Sequence, residues 1–457
     1  MKIIKNGTLV SSSNVWKADL AIEGNKIKLI EPEIKPTSSD EVYDATGCYV
    51  FPGFIDGHTH FDMDTGTAYT ADDFTSGTKA AVISGTTTIV DFATQEKGKS
   101  LKEAYDIWMQ KAEGKSSCNY RFHMAITDLN NAVKEEIKTM PELGVTSFKM
   151  YMAYDSLLSN DGQILDCLKK IKEIDGVLGV HCENGNLVNY LSNQLYEAGN
   201  YEPSAHPKSR PDYVEAEAIN RLAYISSLAD YPVNIVHLSS LAGLEEIRSA
   251  RKRGQSITVE TCPQYLFLDD SYYDLEDFEG AKYVLSPPLR KHEDKAALIQ
   301  AIVDGEIDTI ATDHCSFNFK KDKELGRKDF RKIPNGAPGV EHRIQLIYTY
   351  LVDSGYINLS KMCELMAENP AKRYGMYPQK GIISVGSDAD IVIFNKNYEG
   401  IITSCNQTQN VDYTPYEGFR VKGHAKTVFV NGECVVKDAV IVKENQGRYV
   451  YGHRRSN

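Results

Sequence analysis

The central part of the chain alternates short apolar runs with longer stretches in which charged and apolar residues recur at helical spacing. Eight of these runs have the length and composition of parallel strands that are covered on both faces. We predict strands in the stretch that delivers His58 and His60 and at residues 86–92, 120–127, 146–153, 177–183, 233–240, 256–263 and 308–315. Eight strand–helix units in series predict an α/β fold with a TIM-like (β/α)₈ barrel.

Both ends of the chain have a different pattern, in which apolar and polar residues alternate over short runs broken by turn residues. Near the start, the turns Asn6–Gly7, Gly24–Asn25 and Thr46–Gly47 predict antiparallel hairpins. The same pattern returns at residues 388–396 and 426–442. We therefore predict a β-sandwich domain formed by both chain ends. The expected division is residues 1–50 plus 380–442 for this domain, 51–379 for the barrel and 443–457 for a C-terminal tail.

Composition and charge argue against several classes of partner and site. The net charge of −12 argues against a nucleic-acid or anionic-membrane partner. No apolar run approaches the roughly 20 residues of a membrane helix, and the first residues are apolar over too short a span for a signal peptide. The nine cysteines form no C-x-x-C pair, which indicates neither a disulfide framework nor a thiolate metal site. We expect a cytoplasmic protein.

Six polar residues lie in the predicted barrel strands or at their carboxyl ends, where barrel enzymes place their catalytic groups. They are His58, His60, Lys149, His181, His237 and Asp313. Taken singly, a histidine could be a hydrogen-bonded core residue, the aspartate a helix cap and the lysine a buried or surface amine. Taken together, four histidines and an aspartate form a donor set that suits zinc or a similar divalent metal.

Lys149 constrains this metal hypothesis. A protonated ammonium would be strongly repelled by divalent ions. Either Lys149 lies away from the site or its charge has been changed. Carbamylation by CO₂ would turn the amine into a carboxylate that could bridge two ions. The sequence shows only a position that would permit this modification.

Many motifs, in order along nearly the whole chain, resemble the cyclic amidohydrolases, in particular the dihydropyrimidinase and hydantoinase branch and its bacterial phenylhydantoinase-type members. The match runs from "IIKNGTLV" near the start through "GSDADIVIF" to "VFVNGE". The motifs between them are "GFIDGHTHFDMD", "SFKMYMAYD", "GVHCENG", "NIVHLSS", "ETCPQYL", "LSPPLR", "IATDHCSF" and "NGAPGVEHR".

The resemblance implies a binuclear site with two divalent ions per chain. Zinc is the expected metal, with manganese or iron as alternatives. His58, His60, N6-carboxylysine at Lys149 and Asp313 would hold one ion, and the carbamate, His181 and His237 the other. A hydroxide bridging the two ions would be the nucleophile.

The resemblance also implies a reaction, the hydrolysis of a cyclic amide bond in cyclic ureides. The substrates would be 5-substituted hydantoins such as phenylhydantoin, and dihydropyrimidines, opened to N-carbamoyl amino acids. Asp313 would carry the proton to the leaving nitrogen and Tyr154 would donate to the oxyanion. The main chain at Ser286 and Asn335 would bind the ureide, although composition alone predicts only Pro/Gly-rich turns there.

Other functions stay open at this point. Dihydroorotase is disfavoured because His60 is followed by Phe61 and no H-x-R arginine is present. An allantoinase-like enzyme of purine or pyrimidine catabolism is an alternative, and a non-catalytic scaffold homologue is another, although such relatives lose metal ligands. Cys315 could be a nucleophilic thiol, but we interpret it as pocket wall, with His314 pointing away from the ligands.

Substrate choice is expected to depend on two loops, residues 61–71 after the first barrel strand and 152–160 after the fourth. An apolar pocket for the ring substituent could be lined by Tyr69, Met152, Leu157 and Leu158, and Asp62 and Asp64 could disfavour anionic substituents. By resemblance, the segment after about Asn395, including "NVDYTPYEGF", packs against a neighbouring subunit. We therefore expect a homotetramer.

Overall fold

The computed structural model describes residues 1–453, and residues 454–457 of the predicted tail lie outside the described chain. Eight parallel strands form one sheet in strict chain order. Their bounds are Phe54–Thr59, Thr86–Thr94, Asn119–Ala125, Ser147–Tyr151, Val177–His181, Val233–Ile235, Ile257–Thr261 and Thr309–Ile310. A parallel bridge between Thr59 and His314 brings the first strand against the chain that follows the eighth. The predicted TIM-like barrel is confirmed.

Two predicted strands are shorter than expected. The sixth ends at Ile235 and the eighth at Ile310, whereas the apolar pattern extended both by five residues. The reason is backbone conformation, because His237 and Asp313 have φ values of 41° and 53°. These left-handed values take the chain out of the ladder and are sterically unfavourable for residues other than glycine.

Helices of the barrel cover the outside of the sheet, and side-chain caps define where several begin. Before the second helix, the Ser100 hydroxyl accepts from the Glu103 amide at 3.0 Å and the Glu103 carboxylate accepts from the Ser100 amide at 2.9 Å. This reciprocal pair satisfies two amides that the helix leaves unpaired. The helices are Phe74–Ser84, Leu101–Ala112, Asn131–Thr139, Asp161–Lys172, Gly185–Glu197, Ala205–Ser209, Asp212–Ala229, Leu241–Lys252, Pro263–Phe267, His292–Val303, Arg343–Ile347, Leu359–Cys363 and Asn369–Arg373.

Both chain ends build two further sheets, as predicted. In spatial order, the four-stranded sheet contains Lys26–Glu31, Asp19–Glu23, Lys2–Lys5 and Glu41–Asp44. The seven-stranded sheet contains Val440–Ile441, Glu433–Lys437, Arg420–Val430, Ile391–Ile401, Tyr49–Pro52, Thr8–Val10 and Val15–Lys17. Side chains from both sheets share one buried cluster, among them Ile4, Leu20, Val50, Ile393 and Phe429. The residue limits of the domains stay a prediction.

The hairpin prediction at the start of the chain is correct at one turn and wrong at two. Gly24–Asn25 joins two antiparallel neighbours. At Asn6–Gly7 and at Thr46–Gly47, however, the strands before and after the turn belong to different sheets. The two sheets of this domain share one core. These turns therefore pass the chain from one sheet to the other instead of reversing it within a single sheet.

Candidate metal centre

The end of the first barrel strand carries His58 and His60 into the barrel mouth. Asp91 of the second strand holds the chain on both sides of His60, because its Oδ2 accepts from the Thr59 hydroxyl at 2.8 Å and from the Phe61 amide at 2.9 Å. The Trp108 indole donates to the other oxygen at 2.9 Å. Burial raises the pKa of Asp91 to about 6 despite these donors.

Asp313 meets both histidines. Its Oδ1 lies 3.0 Å from His58 Nε2 and 3.2 Å from His60 Nε2. One potential ligand atom from each of the three residues lies within 4.8 Å of the others. The neighbouring Thr312 is fixed to the first strand, since its amide and hydroxyl donate to Asp56 at 3.1 and 2.7 Å. These two hydrogen bonds join the chain after the eighth strand to the first strand and place Asp313 beside His58.

His181 and His237 form the second half of the cluster. Their rings approach at 3.0 Å between His181 Nδ1 and His237 Nε2. His181 Nε2 lies 2.8 Å from a carboxylate oxygen of Glu183, and the same oxygen accepts from Arg210. The ring orientation of His181 is therefore set by a buried ion pair behind it.

Lys149 of the fourth strand lies among these groups and is 1% exposed. Its Nζ is 5.0 Å from the ring centre of Phe92 and 5.3 Å from that of Tyr151, and within residues 1–453 it donates no hydrogen bond. Burial lowers the pKa of Lys149 to about 8, opposed by the charges of Asp313 and Glu260. The prediction that this lysine lies with the histidines and Asp313 is consistent with its electrostatic coupling to His58 and His237.

The protonation states of the imidazoles follow their surroundings. Burial lowers the pKa of His60 to about 4 and also lowers the pKa of His181 and His237. Burial likewise disfavours the charged form of His58, but Asp313 and Glu260 outweigh it and raise its pKa. Burial would raise the pKa of Asp313, yet the nearby histidines hold it well below its usual value. Neutral imidazoles and an ionised carboxylate are the forms that bind metals.

Unpaired ring nitrogens test whether a metal fits. His60 Nδ1 and His237 Nδ1 are buried and have no hydrogen-bond partner in the described chain, and His58 Nε2 makes no well-aligned hydrogen bond there despite its 3.0 Å approach to Asp313 Oδ1. Buried polar atoms are almost always paired, so unpaired ring nitrogens on three neighbouring histidines call for a missing partner. The nitrogen and oxygen donors match those of zinc and neighbouring divalent metals. The residues present fit a metal centre.

Tyr154, which follows the fourth strand, lies beside the second half of the cluster. Its ring centre is 5.1 Å from that of His181, and the Arg210 guanidinium lies 5.4 Å from it. Its φ of 67° is left-handed, a strained conformation that often marks functional sites. Burial raises the pKa of Tyr154, so its hydroxyl stays protonated and able to donate.

Ser286 and Asn335 lie on two loops that contact each other, since the Gly336 amide donates to the Val284 carbonyl at 3.1 Å. The Ser286 hydroxyl is buried and interacts with the Tyr154 side chain. Within residues 1–453, the backbone amides and carbonyls of Ser286 and Asn335 make no hydrogen bond. Free main-chain donors and acceptors are what binding of a ureide would need.

His314 points away from the cluster, as expected, and the role of Cys315 as pocket wall stays a prediction. His314 Nε2 lies 3.1 Å from Asp72 and its Nδ1 accepts from the Gly339 amide at 3.1 Å, so both nitrogens are occupied. Burial raises the pKa of Cys315, which therefore stays a thiol and a poor nucleophile.

The two substrate loops differ in exposure. In the first loop, Tyr69 is half-exposed and its hydroxyl donates to the Asp62 carboxylate. The backbone carbonyl of Asp62 also accepts a hydrogen bond from the Lys111 amine. Leu157 and Tyr154 pack against the buried side chains of Phe92, Ala125 and Tyr151. Met152, in contrast, is buried in the main core, so it contributes less to a pocket wall than its sequence position indicated.

The segment expected at a subunit interface contacts loops of its own chain. The Asn410 amide donates to Asp72 at 2.8 Å, and the Phe319 amide donates to Asp412 at 2.6 Å. Glu341 accepts from the Thr408 amide at 2.7 Å. The segment thus joins the loops after the first and eighth strands, and its contact with a partner stays a prediction.

Several residues near the centre were missed by sequence reasoning. Glu260, in the seventh strand, lies 2.7 Å from His58 Nδ1 and fixes which nitrogen faces the cluster. Its signal was a carboxylate inside the apolar run "SITVETCP", which a strand buried on both faces does not tolerate without a partner. Glu183 and Arg210 gave no such signal, because their contact depends on the fold.

Comparison with known proteins agrees with this geometry. The sequence model of the Amidohydrolase family matches residues 49–435. D-hydantoinase of Geobacillus stearothermophilus is 44% identical over 98% of this chain and 96% of the relative, and D-phenylhydantoinase of Escherichia coli (strain SE11) is 40% identical over 98% and 97%. The solved structure of dihydropyrimidinase from Brevibacillus agri NCHU1002 superposes with a TM-score of 0.98 at 42% identity, covering 100% of this chain and 99% of the other. These relatives do not favour the allantoinase-like or scaffold alternatives. No helix of the described chain is long and apolar enough to cross a membrane.

Proposed function

The chain belongs to the amidohydrolase family and is a cyclic amidohydrolase, and from this premise we propose that it hydrolyses 5-substituted hydantoins and dihydropyrimidines to N-carbamoyl amino acids. The observation that carries the proposal is the cluster of four histidines, Asp313 and Lys149 at the barrel mouth. This donor set is retained in full, which a non-catalytic homologue would not require.

Two groups of residues would hold two divalent ions. His58, His60, Asp313 and a carbamylated Lys149 would hold one, and the carbamate with His181 and His237 the other. When bound, the ions would lower the pKa of a water molecule and polarise the scissile carbonyl. Zinc is the expected metal on donor chemistry, with manganese or iron as alternatives.

Carbamylation of Lys149 is supported by its surroundings. The lysine nitrogen would attack CO₂, forming one N–C bond and releasing one proton to solvent, which leaves a carboxylate on the side chain. Because burial lowers the pKa of Lys149 to about 8, much more of the amine is neutral and nucleophilic at neutral pH than in an exposed lysine. Because Nζ makes no hydrogen bond within the described chain, the amine is free to react.

Side chains of the mouth would complete the reaction. The ionised Asp313 would accept the proton of the attacking water and deliver it to the ring nitrogen as the amide bond breaks. Tyr154 would donate a hydrogen bond to the oxygen that gains charge at the attacked carbon. The free main-chain groups of Ser286 and Asn335 would bind the alternating donors and acceptors of the ureide.

We expect this enzyme to be a homotetramer. Its helix Asp212–Ala229 exposes Tyr213 and Leu228 at 74% and 72%, and Tyr190 on the preceding long helix is 65% exposed. Large exposed apolar side chains are more frequent at interaction surfaces, although Tyr213 and Leu228 lie at opposite ends of their helix. Light scattering coupled to size-exclusion chromatography should give four times the chain mass of 51.1 kDa.

A ring-opening assay tests the function. We expect turnover of phenylhydantoin, hydantoin and dihydrouracil by protein purified with metal and bicarbonate, and little turnover of allantoin or dihydroorotate. Metal analysis of the same sample should give about two divalent ions per chain. Metal-loaded protein that opens only allantoin, or opens none of the five rings, would contradict the proposal.

A further inference from the structure

A second buried lysine lies behind the two loops that carry Ser286 and Asn335. Lys323 begins a short turn after the eighth strand and is 0% exposed. Its Nζ donates to the carbonyl of Val284 at 2.7 Å, two residues before Ser286. It also donates to the carbonyls of Pro334 at 2.6 Å and Gly336 at 2.7 Å, on either side of Asn335.

These three contacts use the whole donor capacity of the side chain. An ammonium has three N–H groups and no acceptor, so three carbonyl oxygens match it completely. Burial lowers the pKa of Lys323 to about 7, and the three carbonyl dipoles favour the protonated form. The contacts span both loops, because one lies on the Ser286 side and two on the Asn335 side.

The contact with Pro334 also acts on the Asn335 amide, which belongs to the loop proposed to bind the ureide. The carbonyl of Pro334 and the amide N–H of Asn335 belong to one peptide unit. The hydrogen bond that Lys323 donates to the carbonyl polarises that unit and strengthens the N–H as a donor, because hydrogen bonds in series reinforce each other. Within residues 1–453 this N–H has no partner of its own.

The loop around Asn335 has little freedom to move on its other side. A Cβ atom at Gly336 would lie 2.8 Å from Cβ of Cys315, and closer still to its carbonyl oxygen. The Cys315 amide donates to the Ala337 carbonyl at 3.1 Å. Lys323 and Cys315 therefore hold the turn from two directions, with the Asn335 amide between them.

We propose that Lys323 is a positioning residue, which fixes the spacing of the Ser286 and Asn335 loops and polarises the Asn335 peptide so that both can bind the ureide of the substrate. This inference rests on the proposed function, in which the same two residues bind the ring. Lys323 contacts no residue of the metal cluster, so its effect is on substrate binding and not on metal binding or on Lys149.

The test replaces Lys323 with Met, which keeps much of the length and apolar volume and removes all three donors. We expect KM to rise about tenfold or more through the loss of contacts made to the bound ring, with kcat reduced less and metal content unchanged. The rise should be equal for hydantoin and phenylhydantoin, because Lys323 acts on the ureide side and not on the ring substituent.

Lys380→Met is the matched control. Lys380 is also buried, at 4% exposure, but it pairs with Asp388 at 3.0 Å and Asp390 at 2.5 Å near the sandwich domain. This variant should lose stability without a change in KM. If Lys323→Met does not fold, Lys323→Gln decides, since its amide keeps two donors without the charge and should give an intermediate KM.

The outcomes separate this inference from the proposed function. The positioning role would be overturned by an unchanged KM in folded Lys323→Met, or in Lys323→Gln if the Met variant does not fold. It would also be overturned if Lys380→Met showed the same rise in KM, or if the rise in Lys323→Met were confined to phenylhydantoin. Failure of the unsubstituted enzyme to open any ring would instead contradict the function on which the inference rests.

Discussion

Lys149 and Lys323 are two buried lysines of one barrel mouth, and they differ in what their amines contact. Both are almost completely shielded, at 1% and 0% exposure, and burial lowers the pKa of both, to about 8 and about 7. Burial alone would predict the same chemistry for both.

Their surroundings lead to opposite roles. Lys149 faces the rings of Phe92 and Tyr151 and makes no hydrogen bond within the described residues. Lys323 donates to three carbonyl oxygens and is fully paired. An unpaired amine can become neutral and react, whereas an amine that satisfies three acceptors is held as a donor, because a carbamate there would place oxygens against oxygens.

The largest effect should follow from Lys149→Ala. Loss of the bridging group should lower kcat/KM by at least about 1,000-fold, which corresponds to about 4 kcal/mol of transition-state stabilisation. Metal analysis of the variant should show at least one ion fewer per chain than the unsubstituted protein. Full activity in this variant would refute the bridging role and remove the contrast between the two lysines.

The free energy of unfolding of the metal-free protein tests the difference between Lys149 and Lys323 independently of enzyme activity. Lys323→Met leaves three buried carbonyls without a donor and should lower the free energy of unfolding by about 3 kcal/mol. Lys149→Met loses no hydrogen bond and removes a desolvated amine, so its stability should stay within about 1 kcal/mol of the parent or rise.

Urea unfolding of the two Met variants without metal or bicarbonate provides this comparison. Both substitutions are the same in chemistry and volume, so each serves as the control for the other. Equal losses of stability in the two variants would mean that the contacts of the amines do not distinguish them.

Glu260→Gln should have a smaller effect. The carboxylate orients His58 through a 2.7 Å contact with Nδ1, and groups of this kind usually change metal affinity or activity by about 10- to 100-fold. Titration with a metal chelator should detect the weaker binding. Glu215→Gln is the control, because Glu215 is buried but its side chain contacts Ser239, Ser240 and Arg290 and no candidate metal ligand among the described residues. A similar loss of affinity in both variants would argue against a specific role for Glu260.

The smallest effect is expected at the exposed edge of the mouth. Asp62→Asn removes one negative charge from the first substrate loop, and a hydantoin with an anionic substituent should then be accepted about three- to fivefold better, because exposed charges are screened by solvent. Hydantoin without a substituent should be unaffected. Comparing kcat/KM for the two substrates at low and moderate salt measures this, and an equal change for both rings would exclude a charge effect.

The barrel was predictable because its strands are buried on both faces and appear as unbroken apolar runs. The clustering of the six candidate ligands was predictable for a related reason, since polar residues at the carboxyl ends of barrel strands meet at one mouth. Their role as metal ligands stays a prediction. The ends of the sixth and eighth strands were not predictable, because His237 and Asp313 leave the ladder through left-handed backbone conformations that apolar patterns do not indicate.

Roles that depend on contacts between distant parts of the chain were also missed. Lys323 lies in a charged stretch, "FKKDKELGRKDFRK", where it resembles its solvent-exposed neighbours. Its three acceptors come from two other loops, which meet only in the folded chain. The hairpins predicted at Asn6–Gly7 and Thr46–Gly47 were wrong for a similar reason, because local sequence does not tell which sheet the next strand joins.

The central claim is that the buried amine of Lys149, and not that of Lys323, carries a carbamate. Carbon-13 NMR of protein reconstituted with metal and carbon-13-labelled bicarbonate measures this directly. We predict one carbamate resonance in the unsubstituted protein, its loss in Lys149→Met and its retention in Lys323→Met. A metal-loaded, active enzyme without a carbamate resonance, or with a resonance that survives Lys149→Met, would contradict the account.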